Sequence, residues 1–396
     1  MTNVSRTPEI QNPIGSPQEN IKKFGPPPEN SKNLGSPPGN LKNSGPPETA
    51  ARPNLPDLSP GELAELCAQW GEKPWRGRQL AVWLFRRGAE DWDQMTDLAA
   101  SFRRKLAEGA RLAWPKLEAS AEDREAVKFL WRLFDGQRVE SVLLRERNHL
   151  TLCLSSQVGC ALGCLFCRTG TLGFTRNLTS GEILGQVLGA KRLLKPGDRL
   201  TNLVFMGMGE PLLNPEAVLR SLSVLNDPDF LALGRKRISL STVGILPGLE
   251  ALRAGPEIGL TVSLAAPDDE LRDRLMPINR KYPLAELKKA LAAWPLGRGR
   301  RLTIAYVLLK GVNDGPELAV KLNRFLTGLR VKINLIPFNP WPGAPFEAPD
   351  PAAVDEFQAV LVQKGHTAPV RRSKGGGLSA ACGQLAARGP EEDSRE

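Results

Sequence analysis

Cys160, Cys164 and Cys167 stand in a C-x3-C-x2-C spacing. Thiolates this close together can wrap one small inorganic core. Four-cysteine sites satisfy every iron of a [4Fe-4S] cube; three leave one iron open to a substrate. Gly159 and Gly163 flank the first two ligands and permit unusual backbone angles and close approach. Two blander chemistries use the same residues. Zinc takes four ligands, and Cys153 would supply the fourth. A disulfide is the other, but no charged-then-apolar leader precedes a cleavage site, which argues for a reducing compartment.

Other short motifs punctuate the chain downstream. They are Gly207-Met208-Gly209-Glu210-Pro211, Ser241-Thr242-Val243-Gly244, Ser263-Leu264-Ala265-Ala266-Pro267 and Pro337-Phe338-Asn339-Pro340. One such motif is only turn chemistry. Each of these, however, closes a strand candidate, and in parallel α/β folds ligands gather at the carboxyl ends of strands. Glycines there let a backbone approach a ligand; Glu210, Ser241, Ser263 and Asn339 add carboxylate, hydroxyl and amide groups. Several such ends on one rim predict a cofactor pocket.

The elements that must carry these motifs alternate. Strand spacing is read at Thr151–Ser155, Asn202–Met206, Arg237–Thr242, Gly259–Leu264, Leu302–Leu309 and Lys332–Ile336. Amphipathic helices are read between them at Thr179–Leu194, Pro215–Asn226, Leu246–Arg253, Leu284–Trp294 and Pro316–Leu326. Alternation of this kind predicts a parallel sheet with helical crossovers. Six repeats are too few for a closed eight-strand barrel, so an open, partial (β/α)6 barrel is expected. Ahead of it, AVKFLWRLF and RVESVLLRE flank Asp135-Gly136, a hairpin signal.

Residues 53–120 read as a small helical module. Ser59 with Glu62 is a capping pattern, followed by Leu63, Leu66, Cys67 and Trp70 at helical spacing. Leu80, Trp83 and Leu84 share a second helix face, and Asp97–Leu112 a third helix that exposes Arg103, Arg104 and Lys105. Cys67 is read as a buried apolar residue. Residues 1–52 hold ten Pro and five Gly in a ten-residue near-repeat. Such a tail buries too little apolar surface to offset its ordering entropy. It carries +2 and the charged tail 388–396 carries −2, so residues 53–387 carry the chain's whole +10. That balance favours an anionic partner. No apolar run reaches membrane-span length, and the chain reads as cytoplasmic. His149 and His366, the two histidines, sit in no metal or triad pattern.

The loop C-x3-C-x2-C, the wider stretch TLCLSSQVGCALGCLFCRTGTLGFTRNL and the late AACGQL together resemble the radical S-adenosylmethionine (SAM) enzymes, and among them the RNA adenine-C2 methyltransferases. The resemblance runs from about Leu55 to about Leu385. It implies a radical SAM catalytic domain over residues 121–387 and an accessory domain that contributes to RNA binding. It implies one three-cysteine [4Fe-4S] cluster and two SAM molecules per turnover. Gly209, Glu210, Ser241, Ser263, Leu264, Ala265 and Asn339 map onto SAM contacts. Cys382 maps onto the residue methylated by one SAM. A radical from a second SAM then activates that methyl group for addition to adenine C2, and Cys153 releases the product by forming a disulfide with Cys382. Glu140 matches the proton acceptor, with Cys153 a competing base; otherwise Glu140 is an exposed strand charge and the two cysteines are buried thiols. Implied partners are 23S rRNA, tRNA and an external flavodoxin-like or ferredoxin-like electron donor, acting on a monomer. Two departures stand out: Ala265 replaces a frequent His, and Gly375-Gly376-Gly377 replaces Gly-Asp-Asp. Two other readings remain, a C8-methylating relative and a zinc-stabilised RNA-binding module without catalysis.

Overall fold

The structure, a computed structural model, describes residues 52–371, 374 and 376–387. The expected tails, apart from Arg52, and Gly375 of the triple-glycine loop lie outside the described residues.

The centre is one nine-stranded sheet. Strands β1 (Lys116–Glu122), β2 (Ala126–Arg132), β3 (Arg138–Glu146) and β4 (His149–Cys153) form an antiparallel run. Next in chain order come a short pair, β5 (Gln157–Gly159) and β6 (Phe174–Asn177), which makes its own two-stranded sheet. Strands β7 (Asn202–Phe205), β8 (Ile238–Thr242), β9 (Gly259–Ser263), β10 (Leu302–Leu308) and β11 (Val331–Pro337) then add to β4, all parallel. Six parallel strands, β4 and β7–β11, make the expected open (β/α)6 array. Every predicted barrel strand is present, with ends displaced by a residue or two, as fraying ends are.

Eleven α-helices accompany the strands among the described residues. Three are in the N-terminal module: α1 (Pro60–Gln69), α2 (Trp75–Ala81) and α3 (Ala100–Gly109). Then come α4 (Arg168–Thr171), α5 (Ser180–Arg192), α6 (Pro215–Asn226), α7 (Leu246–Arg253), α8 (Asp269–Leu275), α9 (Leu284–Ala292), α10 (Pro316–Leu326) and α11 (Pro351–Gln363). Ser59 and Glu62 form the predicted capping box of α1, and Thr179 with Glu182 forms another at α5. Helix α2 runs on as a π-helical turn, Val82–Arg87, that buries Trp83, Leu84 and Phe85.

The module differs from expectation in detail. Helix α3 begins at Ala100 rather than Asp97, because the Asp97 carboxylate accepts hydrogen bonds from Trp83 Nε1 and Gln79 Nε2. Arg103 is half-buried, donating to the Leu98 carbonyl at 3.0 Å, while Arg104 and Lys105 are exposed as read. Cys67 is buried, as expected, and burial pushes its thiol up to about 11. Strand β1 begins at Lys116, before the expected module boundary at residue 120.

Helix α5 is the post against which the module and sheet lean. A Cβ on Gly185 would lie 2.3 Å from Pro115, and one on Gly189 would lie 2.6 Å from the Trp131 ring, so both positions admit only glycine. At its first turn Ser180 Oγ donates to the Asp57 carbonyl, and Gly181 N–H to the Asp57 carboxylate. Arg176 on β6 then ties three elements together. It reaches Asp135 in the hairpin turn at 2.7 Å and Glu182 in α5 at 2.7 Å, all three side chains nearly inaccessible. Removing one partner from such a buried set leaves uncompensated charge. Arg176→Met is therefore expected to lower the unfolding free energy by about 3–5 kcal/mol in denaturant titrations. Converting Asp135 and Glu182 to their amides in the same chain is expected to restore part of it.

Candidate active site

The sheet ends bring the predicted motifs to one rim. After β4, Ser155 is fully buried: its N–H donates to Gln186 Oε1, its hydroxyl donates to the Glu140 carbonyl at 2.5 Å, and the same oxygen accepts the Met208 N–H. These bonds fasten the loop after β7 to the loop after β4. They also explain Gly207, whose Cβ would sit 2.7 Å from both the Leu154 carbonyl and Ser155 Oγ. The cysteine loop is closed at its base by β5 and β6. Gly159 has φ +74°, and a Cβ there would meet the Gly173 oxygen at 2.0 Å. Cys160 N–H donates to that same carbonyl at 2.7 Å. On the far side Leu165 N–H reaches the last residue of α8, Leu275, at 3.1 Å.

Within the loop, Cys164 is buried and Cys160 and Cys167 are half-buried. Burial pushes all three thiols up, Cys160 to about 12. Cys164 is raised further by its neighbours Cys160 and Cys167, so the three sulfurs share one local field. Among the described residues no three His, Cys, Asp or Glu side chains converge on one metal-ion position. A cube differs from a single ion in this respect, since each cysteine holds a different iron. The thiolate-only donor set on one short glycine-bounded loop fits the [4Fe-4S] group, whose irons would replace the three thiol protons. Cys153 stands apart from a zinc reading: the thiol that acts on it is Cys382.

Cys382 reaches the rim from the end of the fold. Its segment is pinned on three sides. Arg168 N–H donates to the Gly383 carbonyl at 2.8 Å and Thr169 Oγ1 to that of Leu385 at 2.7 Å, both from α4. Beyond β11, Asn339 Nδ2 donates to the Cys382 carbonyl and Gln384 Nε2 to that of Pro340. From β3, Glu140 Oε2 accepts the Ala386 N–H at 3.0 Å. Cys382 is exposed on its turn whereas Cys153 is buried, so the reading of two buried thiols holds for Cys153 alone. Protein mass around the cleft nevertheless raises the Cys382 thiol, and Cys167 raises it further.

Glu140 is not an exposed strand charge but 1% accessible. Burial raises its pKa, opposed by Lys128, whose Nζ lies 3.2 Å from Oε1 and is itself buried. Lys128 was missed in sequence. Its signal was a lysine on the same hairpin face as Glu140, inside the run Ala126–Trp131 whose other residues are apolar.

The expected SAM contacts divide into two groups. Ser241 and Ser263 hydroxyls face each other across adjacent strand ends at 3.4 Å. Asn339 is in place beside the Cys382 segment. Gly209 has φ +94°, and its Cβ would meet Gln157, so its tightest approach is to the loop after β4. Glu210 is buried, and its two oxygens accept the Leu212 and Val243 N–H groups; burial pushes it up to about 7. Leu264 and Ala265 already engage part of their backbone within the fold. Leu264 N–H donates to Ala305, its carbonyl accepts from Arg272, and the Ala265 carbonyl accepts from Asn313. Arg272, also missed in sequence, is fully buried and donates to the Val243 and Leu264 carbonyls, clamping the ends of β8 and β9. It also acts on the Cys164 thiol. A charged residue in the short run DELRDRL reads as solvated until the α8 packing is known.

Among the described residues no helix is long and apolar enough to cross a membrane. Residues 53–112 match the family described as ribosomal RNA large subunit methyltransferase N-terminal domain, and residues 154–322 match the radical SAM superfamily. The chain is 48% identical to the dual-specificity RNA methyltransferase RlmN of Anaeromyxobacter dehalogenans over 87% of its own length and 94% of that protein. It is 47% identical to the protein of the same name from Geobacter sulfurreducens, covering 83% and 90%. It is also similar to the crystal structure of a radical SAM methyltransferase from Sphaerobacter thermophilus. The identity is 43%, the TM-score 0.81, and the match covers 85% of this chain and all of that one.

Each of Cys160→Ala, Cys164→Ala and Cys167→Ala removes a donor from a three-point site with no spare ligand. Each variant is expected to lose acid-labile sulfide and visible absorption after anaerobic reconstitution, whereas Cys67→Ala keeps both. Stoichiometric zinc without sulfide in the parent protein would instead identify a zinc site.

Proposed function

The chain belongs to the RlmN family of dual-specificity RNA methyltransferases within the radical SAM superfamily, and from that premise we propose that it methylates C2 of an adenine in 23S rRNA and in tRNA. The observation that carries the proposal is the placement of Cys382, pinned by α4 beside the cysteine loop and within electrostatic reach of both Cys167 and Cys153. Adenine C2 is an electron-poor sp2 carbon. It does not attack a SAM methyl group, so the carbon must be delivered in activated form from a protein carrier.

Cys160, Cys164 and Cys167 would hold the cluster, and Ser241, Ser263, Asn339 and the loop of Gly209 and Glu210 would line the SAM side, with Leu264 and Ala265 shaping its wall. When bound, the cluster supplies the electron for reductive cleavage of SAM. The residues of the chain do the rest. Cys382 carries the methyl group, and its exposed turn lets the carrier sulfur face a SAM donor first and the RNA base afterwards. Glu140 takes the C2 proton: a carboxylate destabilised by burial holds a proton more readily than an ordinary one. Lys128, 3.2 Å from Oε1, opposes that rise in pKa. The adduct would give one electron back to the bound cluster as the C2 proton leaves. Cys153 then attacks the Cys382 sulfur: the S–S bond forms, the Cys382 sulfur–carbon bond breaks with its electron pair going to carbon, and the thiol proton of Cys153 completes the methyl group. Each turnover uses two SAM molecules and ends with a disulfide to be reduced. A flavodoxin-like or ferredoxin-like donor would supply electrons to a monomeric enzyme in the cytoplasm, where its RNAs are.

The two cysteines are expected to fail differently. Cys382→Ala deletes the carrier and should be inactive and free of RNA. Cys153→Ala keeps the carrier but lacks the resolving thiol, so it should accumulate joined to RNA. Denaturing gels with and without ribonuclease read this directly; equal attachment in both variants, or normal methylation by either, defeats the two-cysteine scheme. Nucleoside mass spectrometry of rRNA and tRNA from cells with and without the gene tests the substrates and separates C2 from C8 methylation.

A further inference from the structure

We propose that the edge of the sheet opposite the reaction rim, where β7–β11 begin, is a second RNA surface that holds the phosphate backbone of a helix flanking the target adenine. The inference rests on the RNA reading above and names a contact remote from the reacting base.

Parallel strands that bring their ends to one rim bring their starts to the opposite edge. The segments around the starts of β7–β11 are 195–201, 234–237, 254–258, 295–301 and 327–332. Together they hold ten Lys and Arg against two acidic residues, Asp198 and Glu257, in a chain whose net charge is +10. Most of the surplus that favours an anionic partner therefore lies along one edge. Arg199, Arg235, Lys236, Arg298, Arg301 and Arg330 are exposed there. Adjacent strands lie about 4.8 Å apart, so the five starts spread over about 19 Å. The ladder sets neighbours. Leu302 N–H donates to the Arg330 carbonyl at 3.0 Å, which places the Arg301 and Arg330 backbones side by side.

Little of this charge is answered within the protein. Arg300 meets Glu257 at 3.2 Å, Arg237 the Asn202 carboxamide at 3.5 Å and Arg301 the Thr367 hydroxyl at 3.2 Å. Among the described residues no carboxylate pairs with Arg199, Arg235, Lys236, Arg298 or Arg330. The β1–β4 half of the same edge is balanced by contrast: Arg145 meets Glu122 at 2.8 Å and Lys374 meets Glu146 at 3.7 Å. A cation in the last turn of a helix would serve the negative end of that helix. Arg235, Arg298 and Arg330 lie beyond that reach, because α6, α9 and α10 end at Asn226, Ala292 and Leu326. Seven of the ten cations are arginines, whose forked donors suit phosphate oxygens, and that favours an RNA backbone. Strands β10 and β11 have seven residues each, a length of about 23 Å. Phosphates gripped at their starts therefore belong to a flanking helix and not to the nucleotide at Cys382.

The test measures binding of the reconstituted full chain to two RNAs across a KCl series. One is a stem-loop carrying the target adenine; the other is the same stem-loop with a flanking duplex long enough to pass the sheet edge. Arg235→Gln/Arg298→Gln/Arg330→Gln is expected to bind the extended RNA about tenfold more weakly at low salt, with a salt slope lower by about one for each phosphate contact removed. Its affinity for the stem-loop should be unchanged. In the parent protein the extended RNA, and not the stem-loop, should shield Lys236 from acetylation in peptide mass spectrometry. That readout decides the matter even if the variant fails to fold. Equal affinity of variant and parent for the extended RNA, equal weakening for both RNAs, or acetylation of Lys236 unaffected by RNA overturns the surface while leaving the RNA reading standing. So does RNA affinity left intact while binding to an acidic flavodoxin is lost, which gives the edge to a protein partner. If the parent holoprotein binds neither RNA, both proposals fall together.

Discussion

One backbone hydrogen bond, from Arg168 N–H to the Gly383 carbonyl, joins parts of the chain that the sheet itself cannot join. A parallel array delivers the loops after its strands to a common rim, because each strand runs the same way. The last residues of the fold belong to no strand or α-helix, and nothing in the array aims them there. Arg168 follows Cys167 directly, so this bond registers Cys382 to the cysteine loop. Thr169, Asn339 and Glu140 add three more ties from three different elements. A single hydrogen bond contributes about 1 kcal/mol. Four from three sides leave the segment one position and still leave the Cys382 side chain on the exposed side of its turn.

That arrangement also accounts for a costly choice, the burial of Glu140 with Lys128. A paired buried charge is weak support for stability, since desolvation offsets most of the attraction. Glu140 spends one oxygen on the Ala386 N–H, and its other oxygen has only the Lys128 contact without hydrogen-bond geometry. An apolar pair would fill the strand face more simply. The carboxylate stands where the C-terminal segment docks, so its position reports on that docking. Arg272 is a parallel case: a fully buried cation whose donors all serve strand-end carbonyls and Asn279, beside the cysteine loop.

How far the sequence reached follows from what each element exposes. The six parallel strands and their helices were legible because apolar periodicity switches cleanly between two and about 3.6 residues. The cysteine loop was legible from spacing alone. Strand β1 was not: KLEASAE lies on the sheet edge with most of its side chains in or near solvent, so no alternation is imposed on it. Strands β5 and β6 are too short to carry a period. Helix α11 buries Val354, Phe357 and Leu361 at helical spacing, and the segment after it adds an edge to β11 through Leu335 and Val370. Lys128 and Arg272 lay beyond sequence reading for a common reason. Charged side chains are taken as solvated, and only tertiary contacts show which of them are enclosed.

The contrast between Cys153 and Cys382 gives the site its direction. Cys153 sits at the end of β4, between β3 and β7, with its backbone in register with Val142 and Val204. Its position is therefore set by the sheet. Burial, and then the neighbouring Cys382, raises its pKa. Cys382 is exposed on a turn held by its backbone carbonyl and by the residues after it, so its side chain is the part free to change neighbours. A carrier has to meet a donor and an acceptor in succession, whereas a resolving thiol has to act once from a fixed place. On that proposal the exposed turn suits the first role and the sheet position the second. In the proposed scheme the sheet would determine where the reaction ends, and the pinned C-terminal turn where it begins.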